Sequence, residues 1–137
     1  MTFYSDGGTI LFDRTYPATF APGGLTVSGA IGTKYGQPGM LGLLGQPLTS
    51  EHGTYDGVGS WQQFQYGYIY WHPDTGAHEI HGAILDRWAD EGWSQSSPGY
   101  PVTDEYGVGT AGDREQEFQA GWLLWYASTA TTTMFWK

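Results

Sequence analysis

A chain of 137 residues is long enough to build one domain with a buried core, and the absence of cysteine excludes disulfide frameworks, thiolate metal sites and cysteine nucleophiles. Fourteen acidic residues against five Lys and Arg give a net charge of −9, which repels phosphate backbones and anionic lipid headgroups, so nucleic acid is not an expected partner. No window reaches the ~20 apolar residues of a membrane span, and the opening MTFYSDGGTI has no basic stretch leading into an apolar run, so no export signal is read there.

Twenty-two glycines and 17% aromatic residues, with only 14% charged residues, suit short strands, tight turns and a polar uncharged surface. In chain order, Gly8-Thr9-Ile10-Leu11-Phe12 and Leu25-Thr26-Val27-Ser28-Gly29 read as the two strands of a first hairpin. GAIGTKYGQPG then gives a weak helix ended by Gly36 and Pro38, and a Gly/Pro-rich loop leads through PLTSE. The stretch YGYIYWHPDTGAHEIHG reads as a second hairpin around an HPDTG turn. Next, GAILDRWADEGW places Ile84 and Trp88 four apart among Asp86, Arg87 and Asp90, the spacing of a short amphipathic helix stopped by Gly92. After PVTDE comes a third hairpin, GWLLW turning through Tyr126-Ala127-Ser128-Thr129 into Thr131-Thr132-Thr133-Met134.

These segments repeat. Gly29-Ala30-Ile31 recurs as Gly82-Ala83-Ile84, Gly45-Gln46-Pro47 as Gly99-Tyr100-Pro101, Leu48-Thr49-Ser50-Glu51 as Val102-Thr103-Asp104-Glu105, and GYIYW as GWLLW. The offset moves from 53 to 54 on the way, as one sliding loop residue produces. The expected fold is mainly β with short helices: tandem repeats of hairpin plus short helix, propeller-like, about two and a half per chain. The single repeat domain over 1–137 divides into a half repeat at 1–29, a first repeat at 30–82 and a second at 83–137 with its terminal hairpin.

Strand alternation assigns Ile69 and Trp71, Leu123 and Trp125, Ile10 and Phe12 to a core face. Tyr68, Tyr70 and Trp122 fall on the reverse face, open to solvent or ligand. Phe64 and Phe118 keep the core register.

The ordered motifs resemble the LGFP repeat. They are Ile31-Gly32-Thr33-Lys34-Tyr35, Leu44-Gly45-Gln46-Pro47, Thr49-Ser50-Glu51, Phe64 through Trp71, and Pro73-Asp74-Thr75-Gly76-Ala77-His78, with a second copy running to residue 126. Gln46 and Tyr100 stand where that family has Phe, Pro98 replaces the Leu of the second copy, and the third hairpin lacks the Pro-x-Thr-Gly-Ala-His turn. The resemblance implies a cell-wall appendage that holds polysaccharide without chemistry, built as a propeller-like ring.

The residues support the same reading. Sugar rings present apolar C–H faces beside hydroxyls, so their sites pair an aromatic platform with planar polar groups. Tyr68, Tyr70 and Trp122 are the candidate platforms; Asp74, His78, Glu79, Arg87, Glu51 and Glu105 are the candidate hydrogen-bonding partners. The expected function is a lectin for neutral glycans of the cell wall or cell surface, with no catalysis and no cofactor. His78 and His81 lie three apart in a strand and point to opposite faces, so they do not chelate a metal together.

Two alternatives stay open: a protein-interaction module using the aromatic face, and a glycoside hydrolase using Glu51 and Glu105. Against the second, equivalent positions of two repeats have equivalent environments, whereas an acid and a base need different ones. Open repeat ends point to a homodimer closing a ring. Localisation stays undetermined, at the cell wall or as a cytosolic defence lectin.

Overall fold

The structure, a computed structural model, describes residues 2–4, 10–13 and 25–137, the first two segments by backbone alone. Those segments are β1 (Thr2–Tyr4) and β2 (Ile10–Asp13), paired antiparallel. The expected first hairpin is therefore revised. Ile10, Leu11 and Phe12 are strand, but they pair with β1, and residues 25–28 are irregular. The Thr26 carbonyl accepts a hydrogen bond from the Gln62 side chain, and Gly29 turns at φ 63° into a helix. Gly8 and Thr9 lie outside the described residues.

Helices α1 (Gly29–Tyr35) and α2 (Met40–Leu44) lead into β3 (His52–Gly53), β4 (Ser60–Phe64), β5 (Gly67–His72) and β6 (Gly76–His81), an antiparallel meander in that order. Helix α3 (Gly82–Glu91) and a single 3-10 turn (Trp93–Gln95) follow. A second meander repeats the first: β7 (Tyr106–Val108), β8 (Asp113–Phe118), β9 (Gly121–Tyr126) and β10 (Thr131–Trp136). The chain is mainly β, two four-stranded antiparallel sheets with a few short helices.

Each unit thus has four strands where two were expected. β4 and β8 escape periodicity because SWQQF and DREQEF carry glutamines on the inward face. Gln62 and Gln116 are fully buried, and their amides donate to backbone carbonyls instead of facing water.

The repeat holds bond by bond. Leu48 N–H donates to Gln63 O as Val102 N–H does to Glu117 O, and the Tyr35 hydroxyl donates to Gly45 O as the Trp88 indole does to Gly99 O. Gly45 and Gly99 explain why the loop keeps its glycine: both have positive φ, and a Cβ on either would stand 2.5 Å from the side-chain oxygen of Gln65 or Gln119.

The helices separate the sheets. α1 covers one face of the first sheet, burying Ile31, Leu44, Phe64 and Ile69, with Tyr35 stacked on Phe64 at 4.7 Å. α3 lies between the sheets, its Ile84, Leu85 and Trp88 buried in one cluster with Trp61, Tyr68, Tyr70 and Ile80 of the first sheet and Phe118 and Leu123 of the second. The Trp88 ring meets Tyr70 edge-on at 4.7 Å and Phe118 at 5.8 Å.

This layering overturns the assignment of Tyr68 and Tyr70 to a ligand-facing side. β5 is covered on both faces, and the two tyrosines are 2% and 0% exposed. Removing rings of this size from water contributes roughly 1.5–3 kcal/mol each, so the repeat junction is itself a main core. Phe64 and Phe118 are core as expected, whereas Trp71 and Trp125 are only half-buried.

Candidate functional site

The PVTDE loop before β7 clasps the preceding unit. Asp104 accepts hydrogen bonds from the Lys34 ammonium of α1 and the Glu79 N–H (3.2 Å), and its Oδ1 lies 3.1 Å from His78 Nδ1. Burial alone would raise the Asp104 pKa, but the bonds from His78, Lys34 and the Glu79 N–H, with the Lys34 charge, hold it below the usual carboxylate range. The neighbouring Glu105 N–H donates to Glu79 Oε1 at 2.9 Å.

Glu79 and His81 lie two apart on β6 and share a face, which brings Glu79 Oε2 to 2.6 Å from His81 Nδ1. The other imidazole nitrogen, Nε2, stands 3.6 Å from Glu105 Oε2, and Arg114 of β8 donates to that same oxygen from Nε at 2.8 Å. The His81 pKa is raised: the bond to Glu79 is the main cause, burial opposes it, the charges of Glu79 and Glu105 add to it, and Arg114 opposes it. Side-chain exposure is 2% for Glu79, 9% for Glu105, 23% for His81 and 43% for Arg114, so the carboxylates sit behind and the cations in front.

These groups open onto a cleft of about 170 Å³. His81, Glu105 and Arg114 form its polar side; Gly82, Ala83, Ile84 and the Trp125 indole form the rest. Trp125 is there because it pairs in register with Arg114, one step along the inward face of β9 from buried Leu123. α3 begins with Gly82 and Ala83, whose small size keeps the cleft open. Two shallower grooves run between helix and hairpin turn at matching places in the two units. One lies along α1 beside Trp71 and His78, the other along α3 beside Arg87 and Thr132.

Of the residues singled out from sequence, Glu105 lines the cleft and Glu79 is buried behind it, its Oε1 accepting from the Glu105 N–H. Tyr68 and Tyr70 are in the core. Trp122 is half-buried on the outer face of β9 with the Lys137 ammonium 5.4 Å from its ring centre. Asp74 is exposed in the β5–β6 turn, its N–H donating to His72 Nδ1. His78 Nε2 lies 2.7 Å from the Thr75 carbonyl, away from His81. Arg87 donates to Glu91 Oε2 and to the Thr132 carbonyl, tying α3 to β10.

Glu51 is exposed and accepts from the Ser60 hydroxyl. Its repeat equivalent Glu105 is nearly covered and bonded to Arg114, so the expected equality of environment does not hold. In the first unit Ser28, Glu51, Ser60 and Trp71 occupy the positions of His81, Glu105, Arg114 and Trp125, and both cations are missing. His81, Arg114 and Trp125 are the site residues that sequence reasoning passed over. The Glu-x-His spacing on a strand carries the signal for His81, and nothing local marks Arg114. Among the described residues, no group of three or more His, Cys, Asp or Glu is arranged to hold a metal ion, and no helix is long and apolar enough to cross a membrane.

No curated protein matches the chain. The family model of the LGFP repeat matches residues 44–96, from the end of α2 through the first sheet, α3 and the 3-10 turn, and the chain carries an LGFP repeat.

Proposed function

We propose that this protein is a carbohydrate-binding module of lectin type, without catalysis, that takes a neutral glycan of the cell wall or cell surface in the cleft at the repeat junction. The observation that carries this reading is the half-buried Trp125 indole lining one cleft together with the Glu105, His81 and Arg114 side chains. An indole offers a flat apolar surface for a sugar's C–H face, and the three polar groups supply planar donors and acceptors for its hydroxyls. Arg114 is paired with Glu105 and His81 with Glu79, so no ionisable group of the cleft faces a ligand without a partner, which favours an uncharged ligand.

The glycoside hydrolase alternative has less support. Glu51 and Glu105 begin different sheets, and Glu51 lies beside Ser60 outside the cleft. A glycan array followed by calorimetric titration of the best neutral hit tests the proposal. Trp125→Ala is expected to weaken binding at least tenfold with no release of reducing sugar by either protein. Silence across neutral glycans would overturn the reading and favour a protein-binding module.

A further inference from the structure

We infer that His81 and Glu105 act as a donor–acceptor pair that reads two neighbouring hydroxyls, a vicinal diol, on a hexopyranose ring stacked against Trp125. This rests on the saccharide reading of the same cleft and names what that cleft selects.

The spacing carries the inference. His81 Nε2 and Glu105 Oε2 are 3.6 Å apart, too far for a direct hydrogen bond, yet they face the same opening. Hydroxyls on adjacent ring carbons stand about 3 Å apart when gauche. One can donate to Glu105 while the other accepts from His81, the two bonds running side by side. A trans-diaxial pair is too widely splayed to make both. Charge-assisted bonds of this kind are the strong ones, and both partners are fixed from behind. Glu79 Oε2 holds His81 Nδ1, and Arg114 Nε holds Glu105 Oε2.

Protonation of His81 is part of the device. The groups facing its ring are Glu79, Glu105 and Arg114. With Nδ1 against the Glu79 carboxylate, a single imidazole proton stays on Nδ1, and Nε2 becomes an acceptor. Only the cation presents Nε2–H to a hydroxyl. The first unit cannot build the pair, because Ser28 stands at the histidine position. Among the described residues there is therefore one such site.

The test is fluorescence and calorimetric titration of the full chain with methyl gluco-, galacto- and mannopyranosides and their monodeoxy derivatives. At least one parent glycoside is expected to bind, and loss of either hydroxyl of one vicinal pair should weaken it at least tenfold. Binding should weaken as pH rises above the histidine range. His81→Gln, which keeps a donor, should bind with no such pH dependence, and thermal melting confirms that the variant is folded. Equal affinity for all the monodeoxy sugars and their parents would overturn the diol, leaving the saccharide reading intact. Wild-type binding that is flat in pH would overturn the role of His81. Failure of every glycoside, together with silence on a glycan array, would remove the saccharide reading itself.

Discussion

Gln62 and Gln116, 54 positions apart, occupy the same place in the two sheets: each is fully buried and sends its Nε2 to two carbonyls, Thr26 and Thr49 for the first, Glu79 and Thr103 for the second. Each amide ties the segment before a helix, irregular at Thr26 and strand at Glu79, to the loop that follows. Gln116→Ala would leave the Glu79 and Thr103 carbonyls unpaired and open a cavity, and is expected to cost roughly 2–4 kcal/mol. Urea denaturation of the variant beside wild type measures this, and a loss under 1 kcal/mol would show that the amide is not a main tie.

Ala130 has φ 54°, while its repeat equivalent Gly76 has φ 78°. A side chain in the left-handed region costs about 1 kcal/mol or more, so Ala130→Gly should raise stability by about 1 kcal/mol. A higher melting temperature with unchanged glycan affinity is the expected result.

Tyr100 stands where the LGFP pattern has Phe, so Tyr100→Phe brings the sequence closer to that pattern. It is nonetheless expected to destabilise by about 1–3 kcal/mol, because the buried hydroxyl donates to Asp56 Oδ2 at 2.8 Å and lies 2.6 Å from the Thr54 hydroxyl. Burial, opposed in part by the Thr54 hydrogen bond, pushes the phenol up to about 12. Burial would raise the Asp56 pKa, but the Gly59 and Val58 N–H groups and the Thr54 and Tyr100 hydroxyls bring it well below the usual carboxylate value. The stability that Asp56 contributes is present above its unfolded pKa, about 3.9, and is lost as pH falls through the lower folded value. Acid unfolding of Asp56→Asn should therefore show a shallower loss below pH ~4 than wild type.

His81 has the opposite sign. Its folded pKa is raised, so its contribution to stability is fully present below the unfolded value near 6.5 and is lost as pH climbs through the folded value. The stability gap between wild type and His81→Gln should be widest in mildly acidic solution and should close toward alkaline pH. A gap that widened there would contradict the Glu79–His81 pairing.

The outer face of the second sheet bears Trp122, Leu124 and Phe135, the last 44% exposed, while the matching face of the first sheet is covered by α3. A second copy of the chain is expected to cover that face and form a homodimer. Sedimentation should give twice 15.1 kDa, and Trp122→Glu should return the monomer. A single 15.1 kDa species across the micromolar range would sink the dimer.

Local sequence determined much of this molecule. Paired glycines mark loops that tolerate no side chain, Ile84 and Trp88 set the face of α3, and the GYIYW and GWLLW strands announce the repeat, because turn chemistry and periodicity act over a few residues. Which face of β5 meets water was decided by the fold. α3 crosses the face bearing Tyr68 and Tyr70, and no pattern within the strand encodes what a later helix will cover. The cleft likewise exists only in three dimensions, where His81, Glu105, Arg114 and Trp125 come from four separate segments that meet because the second unit docks on the first.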